Sequence, residues 1–145
     1  MGYVRFSHRL DLNAVRVLLA SPQGGVAQDM LRRGLLVETQ AKRNISGGGG
    51  YPKRVDTGRA RSSINTQLVV RDGRPIAVVG TNVYYARWIH DGTGVYGPRG
   101  RVIRPVRRRF MRWKPRGGGR WIYARKVRGM RPNPFLRNAL VAARY

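Results

Sequence analysis

From Gly92 to Tyr145 the chain carries 16 arginines and lysines and not one acid. That partition limits the fold more than any local pattern. A segment without acidic side chains is a polycation that repels itself unless something negative neutralises it. Residues 1–91 hold the other 14 basic residues and all six acids, so the formal +24 divides into +8 and +16. Nucleic-acid phosphate or an acidic protein face would neutralise such a surface equally well. The bland alternative is a solvated charged face, which carries a cost in self-repulsion.

The 145 residues suffice for one modest core and not for two, so a single domain spanning 1–145 is expected. A hydrophobic content of 41% is that of a globular chain, while 19 glycines and 8 prolines predict long irregular segments. With no cysteine, a disulfide framework, a thiolate metal site and a cysteine nucleophile are all excluded. No apolar run approaches the roughly 18–20 residues of a membrane span, and MGYVRFSHRLDL lacks the apolar core of a signal peptide. A soluble chain without a visible address is expected.

Local patterns predict an α+β fold: N-terminal helices packed on a small, mostly antiparallel sheet, with a basic β-hairpin arm and a C-terminal helix. Asp11 is placed to cap a short helix in which Leu12, Val15, Leu18 and Leu19 share a face, ending at "SPQGG". Ser21-Pro22 then reads as the start of a second helix, with Val26, Met30, Leu31, Leu35 and Ala41 inward. Residues 1–45 are thus helical. Four consecutive glycines mark 46–58 as a flexible loop. Within 59–94, "SINTQLVVRDGRPIAVVG" alternates with period two around Asp72-Gly73, which predicts a β-hairpin. Thr81-Asn82 is placed to cap the short helix "VYYARWIHD", with Gly92 as a left-handed stop.

From 95 to 129, Val102-Ile103, Phe110 to Trp113 and Trp121 to Ala124 predict short strands, the last two joined by "KPRGGGR". This basic arm sets Arg104, Arg107, Arg108, Arg109, Arg112, Lys114, Arg116 and Arg120 among Phe110, Trp113 and Trp121, a pattern suited to DNA or an acidic partner. Residues 130–145 close the chain with a helix capped near Asn133, with Phe135, Leu136, Ala139 and Leu140 inward.

The stretch "IHDGTGVYG" pairs His90 with Asp91 ahead of a glycine-rich run. Adjacent helical positions point about 100° apart, so the two side chains are not expected to face one another as a catalytic pair needs. The run lacks the GKS or GKT ending of a phosphate loop. The six acids are too scattered for the carboxylate cluster of a metal-dependent nuclease. No enzyme, metal or cofactor is therefore expected, and "HDGTG" reads as a hinge between core and arm.

Several segments taken in order carry a resemblance: "AKRN", "VDTGRARSSI", "VGTNVYYARWIHDGTG", "IRPVRRRFMRW" with "WIYARKVRG", and "RPNPFLRNAL". Together, from about Val26 to Leu140, they resemble the head–tail joining family of tailed phages, the neck or tail-completion proteins related to the lambda minor tail protein Z. The matching positions are Thr57, Gly58 and Arg59 with Ser63; Gly80, Thr81 and Asn82 with Tyr85; Gly92 and Thr93; and Pro134, Phe135 and Leu136. Two departures stand out. His90-Asp91 replaces the family's acidic-then-apolar pair, and the four-glycine loop is longer than the usual link.

The resemblance implies a non-catalytic virion protein, usually a ring of six copies, assembled in the host cytoplasm. Its implied partners are itself, head-completion, tail-terminator or tail-tube proteins, and genomic DNA in the lumen. The rival expectation, from composition, is a non-catalytic nucleic-acid-binding module of ribosomal-protein type or associated with DNA packaging.

Overall fold

The computed structural model describes residues 11–50, 52–53, 58–115 and 118–143. Two helices come first, α1 (Leu12–Ala20) and α2 (Gly25–Ile45), followed by a one-turn helix α3 (Arg59–Ser62) and the hairpin β1 (Ile64–Arg71) and β2 (Arg74–Thr81). Next are α4 (Ala86–Asp91), a second hairpin β3 (Met111–Trp113) and β4 (Ile122–Ala124), and α5 (Phe135–Ala142). The fold is α+β, and its sheets are two separate antiparallel pairs, β1-β2 and β3-β4. No helix among the described residues is long and apolar enough to cross a membrane.

The period-two pattern of β1 and β2 has its expected physical outcome. Ile64 pairs with Thr81 and Arg71 with Arg74 across a tight turn in which Asp72 and Gly73 both take positive φ, 51° and 70°. That geometry follows the right-handed twist of the strands. Ile64, Thr66, Leu68, Ala77 and Val79 turn towards α2, while Ile76 and Val78 on the opposite face stay exposed.

Helix α2 lies across the inner face of this hairpin, and the contact selects small residues. A Cβ at Gly34 would come within 2.5 Å of the Thr66 methyl and 3.0 Å of the Ala77 Cβ. The buried face of α2 is therefore Ala27, Gly34, Val37, Ala41, Asn44 and Ile45. The expected inward face was wrong in part: Leu31 and Leu35 are exposed and Val26 is half-buried, because leucines would hold the helix too far from the strands. Glu38 fixes the alignment, accepting from Thr66 Oγ1 at 2.7 Å and from Lys42 Nζ at 2.6 Å. These donors, Lys42 first and Thr66 second, hold its carboxyl below the ordinary value of 4.5 against the opposing effect of burial.

The core gathers Val37, Ala41 and Ile45 of α2, Ala60, Ile64, Ala86, Ile89 and, from α5, Phe135 and Ala139. Two buried asparagines fasten α5 to the end of α2. Asn44 Nδ2 donates to the Phe135 carbonyl, and Asn133 Nδ2 donates to the carbonyls of Asn44 and Pro52, all at 3.2 Å. This satisfies a carbonyl that the helix end leaves without an intrahelical partner.

Several local expectations need correction. Ser21 ends α1 rather than starting α2: its N–H returns to the Val17 carbonyl, and α2 begins after Gly24. Residues 48–50 form a 3-10 turn instead of open loop, since Gly47 N–H bonds the Asn44 carbonyl and continues the winding of α2. The rest of that expected loop falls largely on Tyr51 and 54–57, outside the described residues. Asn133 spends its side chain on Asn44 and Pro52, so α5 begins after Pro134 with no side-chain cap, and Leu140 faces solvent. Thr81 Oγ1 accepts from Val83 N and serves the turn ahead of α4, whose own cap position is Tyr85.

Candidate functional site

The arm is built as two legs that run out from the core and back. At the root, Thr93 N–H donates to the Met130 carbonyl at 2.9 Å, Val95 N–H to the Arg128 carbonyl at 2.8 Å, and Met130 N–H to Thr93 Oγ1 at 2.9 Å. Further out, Ile103 and Val127 exchange both backbone bonds at 2.9 Å, and β3 pairs with β4 through Met111–Ala124, Arg112–Tyr123 and Trp113–Ile122. The legs can approach this closely because they cross at glycines. A Cβ at Gly94 would overlap the Arg128 carbonyl oxygen, and one at Gly129 the Thr93 carbonyl oxygen. "GTG" is thus a clasp with Gly129, where the sequence suggested a hinge. Gly92 ends α4 with φ 78° and ψ 176°, outside the left-handed helical well that the sequence suggested.

Along the arm, guanidinium groups rest on aromatic rings. Arg112 lies 4.7 Å from the Trp121 ring centroid, and Phe110 has Arg109 at 5.6 Å and Arg125 at 5.3 Å. At the root, Arg128 lies 5.8 Å from the Tyr96 ring. Each such contact contributes about 0.5–1 kcal/mol at an exposed site, so the rings help to hold the cations without neutralising them. The ion pairs among the described residues are Arg33–Asp29, Lys42–Glu38 and His90–Asp91, and none reaches an arginine between Arg99 and Arg128.

Of the residues singled out in the arm, Arg108, Arg109 and Arg112 come together with Phe110 and Tyr123 around one open cavity. Arg104 falls elsewhere, in a cleft at the arm's root with Arg99 and Arg101. Arg107, Lys114 and Arg120 are exposed singly, and Arg116 lies outside the described residues. Sequence reasoning passed over Arg87, Arg99, Arg101, Arg125 and Arg128. A further sign was present in β4 and beyond, where Arg125 and Arg128 sit three apart around the bridging Val127.

The positions that carry the family resemblance sit at joints of the fold. Gly58, at φ 83°, precedes Arg59 at the start of α3, and Thr57 is outside the described residues. Ser63 Oγ and Thr81 Oγ1 lie 2.6 Å apart, linking two motifs that are distant in sequence. Gly80 lies one residue before the end of β2 without a crowding neighbour, Asn82 is exposed, and Tyr85 packs against the core. Thr93 belongs to the clasp, Pro134 precedes α5, Phe135 is buried in the core at the first position of that helix, and Leu136 packs against the core.

His90 and Asp91 do meet, contrary to expectation, with Nδ1 and Oδ1 2.8 Å apart. Both sit in the last turn of a six-residue helix ending at Gly92, where side-chain rotation overcomes the angular separation. The imidazole packs edge-on to Phe135 at 5.5 Å, and among the described residues no serine or threonine hydroxyl hydrogen-bonds to it. Nor is there any metal-sized cluster of acids and histidines among the described residues. No family model, no curated protein and no solved structure matches the chain.

Proposed function

We propose that the chain is a structural virion subunit of a long-tailed phage, forming an oligomeric ring in the neck, at the head–tail junction or the top of the tail tube. The observation that carries this reading is the apolar surface the chain leaves uncovered. Helix α1 buries no residue at all and exposes Leu12 at 65% and Val17 at 60%, and α2 exposes Leu36 at 65%. The outer face of the hairpin adds Ile76 and Val78. Patches on several faces of a small subunit are what repeated head-to-tail contacts use, and a head-to-tail contact that closes makes a ring.

The ordered motifs support the same reading, and six copies is the number they imply. The arm then meets either acidic neighbouring rings or the DNA moving through the lumen. Against DNA its contacts are to phosphate, since passage of a genome requires indifference to sequence. No catalysis or cofactor enters this reading, and the partners are the head-completion, tail-terminator or tail-tube proteins above and below. A second reading, a non-catalytic nucleic-acid-binding module, is favoured by arm arginines that rest on aromatic rings and have no carboxylate partner among the described residues. Deleting the gene separates the two: the ring reading predicts unjoined heads and tails, the module reading intact particles with another defect.

A further inference from the structure

A cleft of about 590 Å³ opens between α4 and the outgoing leg of the arm. Arg87 of α4 and Arg99, Arg101 and Arg104 of that leg line it, and the Trp88 ring stands beside them. All four arginines are exposed, and none forms an ion pair with the described residues. Trp88 keeps 51% of its surface in solvent while an edge-on contact with Tyr84, 5.5 Å between centroids, holds it in place. The one carboxylate in the wall, Asp91, is engaged by His90. At Gly92, Gly94 and Gly97 the lining is bare backbone, which the clasp beneath makes rigid.

We propose that this cleft binds a nucleotide unit of a single nucleic-acid strand, with its phosphates on Arg87, Arg99, Arg101 and Arg104 and its base against Trp88. Planar guanidinium forks match phosphate oxygens two at a time, and four of them in a cavity of this size suit successive phosphates along a backbone. An acidic peptide would satisfy the same cations but offers no flat ring system to the indole. Base stacking on an aromatic side chain is tolerant of sequence, because every base has a π-face. A base available for stacking must be unpaired, so the strand is single rather than duplex. The chemistry of the cleft does not depend on whether the chain assembles into a ring.

The chain has three tryptophans, so full-length protein with Trp113→Phe and Trp121→Phe leaves Trp88 as the only indole fluorophore. This protein is titrated with a twelve-residue oligothymidylate, a matched duplex, thymidine triphosphate and polyglutamate, with anisotropy of a labelled oligonucleotide following binding itself. The single strand is expected to quench Trp88 emission by roughly half or more, as ring stacking requires. Arg87→Gln with Arg101→Gln should abolish the quench and flatten the salt dependence of binding by about 1.4 in log–log slope, about 0.7 per lost phosphate contact. Arg107→Gln with Arg108→Gln on the arm should weaken binding and leave the quench at saturation intact. Trp88→Phe in the otherwise unchanged chain should lower oligonucleotide affinity, an outcome independent of the tryptophan-free arm. Binding that leaves Trp88 emission unchanged, or an equal quench by polyglutamate, overturns the proposal. Competition by the triphosphate at equal concentration would overturn the strand in favour of a free nucleotide.

Discussion

Replacing Gly129 with alanine should open the root of the arm while leaving the core folded. Gly129 has φ 93°, beyond the left-handed well that an L-residue tolerates best, and an added Cβ would overlap the Thr93 carbonyl oxygen. Strain at such an angle costs about 1–3 kcal/mol. Relieving the overlap means parting the legs, which loses the bonds from Thr93 N to Met130 O and from Val95 N to Arg128 O, at about 0.5–1.5 kcal/mol each. The sum is about 2–6 kcal/mol. Gly100→Ala is the control: its φ is 58° and nothing lies within 4 Å of the new Cβ, so only about 1–2 kcal/mol of backbone strain remains. Because the arm makes few contacts with the core, the loss is local, and amide hydrogen exchange reads it better than a melting curve. Protection at Thr93, Val95, Ile103 and Val127 should fall about 30-fold or more in Gly129→Ala, for a loss of about 2 kcal/mol, with Ile45 and Ile89 little changed. Equal protection in Gly129→Ala and Gly100→Ala would refute the clasp.

Three further outcomes follow from the core. Glu38 has its carboxyl pKa depressed in the folded state, so its stabilising contribution is full above the ordinary value of 4.5 and is lost as pH falls through the folded value. Urea unfolding of Glu38→Gln should therefore show a smaller loss of stability between pH 5 and pH 3 than the natural chain shows. Gly34→Val should destabilise by about 1–3 kcal/mol in urea, because its side chain drives α2 off Thr66 and Ala77, whereas the same change at the exposed Gly25 should cost far less. Asn133→Ala removes the side-chain donor to Asn44 and Pro52, whose carbonyls keep Gly47 N–H and solvent respectively, and should cost about 0.5–1.5 kcal/mol per lost bond by thermal or chemical melt.

The first hairpin was fully legible because its period-two alternation and its Asp72-Gly73 turn are both local signals. The C-terminal end of α2 was legible, but its start and its buried face were not. Hydrophobic periodicity assumes that large apolar residues point inward, and here a close helix-to-strand approach put Ala27, Gly34 and Ala41 there and left Leu31, Leu35 and Leu36 outside. The inversion has a steric cause, since a leucine at the Gly34 position would not fit against Thr66 and Ala77. The arm's arginines were legible as a set, but their grouping depended on the clasp, a backbone contact between residues some 35 positions apart that leaves no mark beyond its glycines. The cleft joins Arg87 to Arg99, Arg101 and Arg104 across the Gly92–Gly97 turn, and only the path of that turn makes them neighbours. His90 and Asp91 show the opposite error: an average helical angle was applied to the last turn of a helix, where side chains have room to swing together.

Copies of this chain are proposed to form a ring in the neck of a phage particle. The most direct test is electron microscopy of purified virions in which this subunit carries a compact label fused at its N-terminus. Label should be confined to a single ring where head meets tail, with density for six copies as the resemblance implies. Particles that are complete and infectious with no label at the junction would contradict it.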